Sequence, residues 1–116
     1  VSLHLPLNEN THGLIGEKEL ALMKPEAVLI NTARGALVDN EALAKALKHY
    51  KIAGACIDVL EHEPPFALDH AILNAPNVVI TPHIAYATYY AMDKRWKIVM
   101  ENIKAYLAGE PINIVN

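Results

Sequence analysis

Four short apolar runs divide this chain at nearly even steps: VSLHL at 1–5, AVLIN at 27–31, IAGACIDVL at 52–60 and NVVITP at 77–82. Leu5 to Asn31 and Asn31 to Ile57 are each 26 residues apart, and Ile57 to Thr81 is 24. One strand and its crossover occupy about that much chain. The runs are rich in β-branched residues and mostly continuous rather than alternating. That pattern predicts strands of a parallel sheet, buried on both faces.

The intervening stretches read as helices. EKELALMK carries a short helical pattern that Pro25 closes. After Asp39 or Asn40, either of which is a good N-cap, EALAKALKHY sets Ala42, Leu43, Ala46 and Leu47 on one face. Beyond Pro82, Met92, Trp96, Val99, Ile103 and Leu107 recur at helical steps before Gly109 and Pro111. This predicts one long terminal helix over about residues 86–108.

The 116 residues suit one modest domain. They are 53% hydrophobic and 20% charged, with a formal net charge of −3, the balance of a globular chain rather than a disordered one. Ten basic residues scattered among thirteen acidic ones argue against a nucleic-acid binder. No apolar run is long enough to span a bilayer and no leader pattern is visible, so the expected location is the cytoplasm. The single cysteine, Cys56, lies in an apolar run and reads as core filler. Because the chain opens on Val1 inside an apolar run, it is expected to be part of something longer.

In a parallel sheet of this kind, ligands bind beyond the carboxyl ends of the strands. The first run ends in His4 and Pro6, the second in Asn31, Thr32 and Arg34, the third in Asp58, Glu61 and Glu63, and the fourth in Thr81 and His83. Each has a plain alternative: Arg34 in a surface pair, Asp58 as an N-cap, Glu63 solvated, His83 satisfied in a turn. Their shared placement favours a site. A guanidinium fork binds a carboxylate through two hydrogen bonds and reaches an adjacent carbonyl, which suits a 2-oxo acid. A histidine then gives its proton to that carbonyl oxygen, and a carboxylate such as Glu63 orients the ring and favours its imidazolium. A cofactor must bring the hydride, because no side chain supplies one.

The stretches SLHLPL, MKPEAVLINTARGALVDNEAL, IAGACIDVLEHEPP and NVVITPHIA resemble, in order and spacing, the D-isomer-specific 2-hydroxyacid dehydrogenases. The likeness is to the C-terminal part of their NAD-binding domain. It implies an α/β fold: half of a Rossmann-like doubly wound parallel sheet with a long C-terminal helix. It implies that Arg34 holds the substrate carboxylate, that Glu63 pairs with the catalytic histidine and that His83 is the acid/base. It also implies that Asp58 contacts the nicotinamide carboxamide, and that His4 to Pro6, Thr32, Ala33, Arg34, His83 and Ala85 line an NAD or NADP cofactor, NAD being the expected one. Glu61 matches no required position and is expected to be solvated.

The family's glycine-rich G-x-G-x-x-G turn is not found in these residues, and Gly13 and Gly16 do not replace it. The expectation is the last half of a nucleotide-binding domain, without most of the substrate domain and catalytically silent alone. A non-catalytic α/β module that retains the motifs and self-associates is the alternative. A metal site built from His4, His12, His62 and His83 matches no common zinc spacing, and no metal is expected. The partners expected are a small 2-oxo or 2-hydroxy acid and a second copy of the chain. Tyr86, Tyr89 and Tyr90 lean toward a lactate-like or other small aliphatic acid, with phosphoglycerate, glyoxylate and hydroxypyruvate open.

Overall fold

The computed structural model describes residues 1–62 and 69–115. By internal contacts the chain forms two compact units, Val1–Ile84 and Ala85–Asn116.

The first unit holds a parallel sheet in the order β1-β2-β3-β4, with β1 Ser2–Leu3, β2 Val28–Asn31, β3 Gly54–Ile57 and β4 Val78–Ile80. Each apolar run supplies one strand, shorter than the run itself. The register sets Leu3, Asn31, Ile57 and Ile80 side by side near the carboxyl edge. Helix α1 (Glu17–Leu22) follows β1, and helix α2 (Asn40–Lys48) follows β2. Between β3 and β4 the described residues contain a single 3-10 turn, Ala71–Asn74, rather than an α-helix. A second 3-10 turn, Gly35–Leu37, precedes α2.

The helix starts follow local chemistry. Asp39 is the α2 cap, its carboxylate accepting the Ala42 N–H at 3.0 Å. Glu19 reaches back to the Gly16 N–H at 3.0 Å and stops α1 from fraying. Residues 13–15 are zipped to 36–38 through Gly13 N–H to Ala36 O at 2.8 Å and Ile15 N–H to Leu37 O at 3.0 Å. That seam sets the two helix starts beside each other.

One core results, in which Leu20, Leu29, Leu37, Leu43, Leu47, Ile52, Ile57 and Ile72 are almost wholly buried. Each such side chain contributes about 2 kcal/mol by leaving water. Expected burial on both sheet faces is not what the structure has. β2 alternates, with Leu29 and Asn31 buried but Val28 and Ile30 exposed. Val79, on the same face as Ile30 by register, is 61% exposed, and Cys56 between them is only half-buried rather than core filler. The reason is topological. Parallel neighbours in strict chain order, joined by right-handed crossovers, receive all their connections on one face.

The second unit is α3, Tyr89–Leu107, with a short tail. It starts at Tyr89 rather than near 86 because the Thr88 hydroxyl caps it, accepting the Ala91 N–H at 3.1 Å. Among the described residues no helix is long and apolar enough to cross a membrane.

Candidate active site

Asn31 ends β2 with its side chain 1% exposed. A buried amide needs partners on both its atoms. Its Oδ1 accepts the Ala33 N–H at 3.1 Å, and its Nδ2 donates to the Arg34 carbonyl at 2.9 Å. The Thr32–Arg34 loop is thus folded around one buried amide. The Arg34 side chain is exposed, and among the described residues its guanidinium finds only the Ala33 carbonyl, at 2.6 Å from Nη1.

Gly35 follows because nothing larger fits. A Cβ there would stand 1.9 Å from the Leu60 carbonyl carbon and 2.1 Å from its oxygen. This contact presses the Arg34 loop against the chain leaving β3.

On that chain, Asp58 is 4% exposed. Its N–H donates to Asn31 O at 2.9 Å, which carries the ladder one step past the strands. Its carboxylate accepts the Thr81 hydroxyl and, at 2.9 Å, the Ile84 N–H. Its carbonyl accepts the His83 N–H at 2.8 Å. Asp58 therefore grips the Thr81–Ile84 turn from both ends. His83, half-buried at its crest, has φ 55°, a left-handed conformation that a non-glycine residue adopts at a cost of about 1 kcal/mol. Such strain persists where the surroundings fix it, and here those bonds do.

The Arg34 loop, Asp58 and His83 consequently lie on consecutive strand ends at one carboxyl edge. β2 and β4 are separated by β3 alone, about 10 Å at ordinary sheet spacing. At the β1 end, exposed His4 bonds Ser2 Oγ through Nε2 at 2.7 Å, and the Pro6 carbonyl accepts the Thr11 hydroxyl at 2.8 Å. Thr32 is exposed and Ala33 half-exposed at the β2 end. Ala85 opens the second unit. Glu63 lies outside the described residues. Among the described residues no three His, Cys, Asp or Glu side chains gather to hold a metal ion.

Glu61 departs from expectation. Its carboxylate is not simply solvated: Asn40 Nδ2 donates to Oε2, His70 Nε2 lies 3.0 Å from Oε1, and the side chain is 30% exposed. Asn31 and Thr81 were visible in the sequence as strand-end residues, but not as the braces of the Arg34 and His83 segments. The N-x-x-R-G spacing, which sets a short amide three residues before an arginine, is the signal that could have marked Asn31.

Residues 1–85 match the family model described as D-isomer specific 2-hydroxyacid dehydrogenase, NAD binding domain. The chain is 50% identical over 117 residues to a glyoxylate reductase of Thermococcus litoralis, covering 100% of this chain and 35% of that protein. It superimposes on D-lactate dehydrogenase with NAD+ from Lactobacillus jensenii with a TM-score of 0.89 and 38% identity, covering 99% of this chain and 38% of the other. An acyclic imino acid reductase, Bsp5, in complex with NADPH and D-Arg gives a TM-score of 0.84 at 44% identity, over 99% of this chain and 36% of the other. The chain thus spans about 35% of the length of the curated relatives it matches. With its parallel sheet, its strand-end Arg34, Asp58 and His83 and this match, the chain belongs to the D-isomer-specific 2-hydroxyacid dehydrogenases, as sequence of their NAD-binding domain.

Proposed function

We propose that this chain is the C-terminal half of the nucleotide-binding domain of a longer NAD-dependent enzyme that reduces a small 2-oxo acid, such as glyoxylate or pyruvate, to the 2-hydroxy acid, of D configuration where that product is chiral. The observation that carries the reading is the exposed Arg34 guanidinium on a loop packed against the chain segment that holds the His83 turn; among the described residues it has no carboxylate partner. An always-charged fork in that place suits an anionic substrate.

In this reading Arg34 binds the substrate carboxylate and leans on the adjacent oxo group. His83 donates its proton to that oxygen as it becomes a hydroxyl, and takes one back in the reverse direction. Glu63 holds the ring for that transfer. The cofactor fit is read at the β1 and β2 ends. Pro6, Thr32 and Ala33 give small or flat, at least partly exposed surface there, and with His4 and Asp58 they would hold the nicotinamide end. The bound nicotinamide supplies the hydride. The pyrophosphate end needs the glycine-rich turn that these residues lack, so the isolated chain is assigned no turnover.

The test is NADH oxidation by the full-length protein bearing this segment, with glyoxylate, pyruvate and hydroxypyruvate in turn. At least one should be reduced, and His83→Gln should lower kcat by about a thousandfold. Absence of turnover with every acid, or an unimpaired His83→Gln protein, would overturn the reading.

A further inference from the structure

The segment leaving β3 is fixed at three successive points. Asp58 is bound to the His83 turn, Leu60 lies under Gly35, and Glu61 is held by two side chains from outside the strand. The first two fixings belong to the rim already described, whereas the third joins elements that no catalytic role explains. Asn40, the first residue of α2, is 4% exposed, and Glu61 is the acceptor its amide nitrogen needs. His70, whose side chain is 19% exposed, caps the Ala71–Asn74 turn by accepting the Ile72 N–H at Nδ1, 3.4 Å away. With Nδ1 accepting, the ring proton sits on Nε2 and is donated to Glu61 Oε1 at 3.0 Å. Each Glu61 oxygen thus serves a different element.

We infer that Glu61 is a positioning residue for the rim: by tying α2 and the Ala71–Asn74 turn to the β3 exit, it holds the Arg34 loop and the Asp58-bound His83 turn at a fixed separation. This rests on the function proposed above. The account predicts a reciprocal pattern. Asn40→Asp sets a second carboxylate against Glu61, and Glu61→Gln leaves one of two donors without an acceptor. The double variant restores both bonds, because the new glutamine amide donates to the new aspartate while its carbonyl accepts from His70.

The experiment measures kcat, both KM values and melting of the full-length protein for wild type, each single variant and the double. Each single variant should lose kcat by about tenfold, the worth of one charge-assisted hydrogen bond, with the KM for NADH unchanged. The double variant should recover. Singles that keep wild-type kcat, a double that stays low, or a kcat loss matched by a rising KM for NADH would each overturn the inference. The last of these marks general damage rather than positioning. If the wild type reduces no 2-oxo acid, the functional reading itself has failed and this inference falls with it. An active wild type whose Arg34 and His83 variants are dead, alongside an unaffected Glu61→Gln, overturns the inference alone.

Discussion

Two residues, Asp58 and Gly35, hold the rim together by contacts that tolerate little change. Removing the Asp58 carboxylate would strand the Thr81 hydroxyl and the Ile84 N–H in a partly buried turn. Asp58→Ala should therefore lower stability by about 3 kcal/mol in urea denaturation, and Asp58→Asn, whose Oδ1 can still accept both bonds but without the charge, by less. Gly35→Ala drives a methyl into the Leu60 carbonyl and should cost about 3 kcal/mol or abolish folding. The strand-end placement of Arg34, Asp58 and His83 was legible because chemistry-bearing residues followed apolar runs at a regular interval. The work of Asn31 and Glu61 was not legible. A buried amide at a strand end and a carboxylate shared between residues 21 before and 9 after it depend on tertiary approach, which spacing does not encode. The left-handed backbone at His83 was hidden for the same reason, since the bonds that enforce it come from Asp58, just past β3.

At the scale of elements, local signals placed the four strands and three α-helices of the described residues, missed both 3-10 turns and misjudged the extents. Runs of five to nine residues became strands of two to four, because a strand lasts only where its neighbour's ladder does. The α2 cap was foreseen as Asp39 or Asn40. Asp39 takes it, and Asn40 is freed to meet Glu61. Asp39→Ala should cost about 1 kcal/mol of stability in thermal or urea unfolding. Helix α1 makes a pH prediction. The Glu19 carboxyl is held below its ordinary range, first by the Gly16 N–H and then by its own, both of which favour the carboxylate. A lowered folded value means that its contribution is present above the unfolded value and is lost as pH falls through the folded one. An NMR titration should place the Glu19 midpoint below the ordinary glutamate value, and Glu19→Gln should remove the difference in α1 fraying between neutral and acid pH.

For the first unit as a whole, the consequence of chain-order topology is one sheet face bearing exposed Val28, Ile30 and Val79, with β1 and β4 as edges. Such a surface recruits another chain. The isolated chain should self-associate at micromolar concentration in sedimentation velocity. Ile30→Lys should shift it toward monomer without loss of helical signal, and a clean wild-type monomer would refute that expectation. Two-sided burial could not be read correctly from the apolar runs, since an apolar strand says that a face needs covering and not which segment covers it.

The central claim, that this rim grips a 2-oxo acid through Arg34, is tested most directly by Arg34→Ala in the full-length protein, comparing oxo-acid turnover with NADH binding. The account predicts that kcat/KM for the acid falls by about a hundredfold or more while the NADH dissociation constant changes far less; equal losses in both, or undiminished turnover, would contradict it.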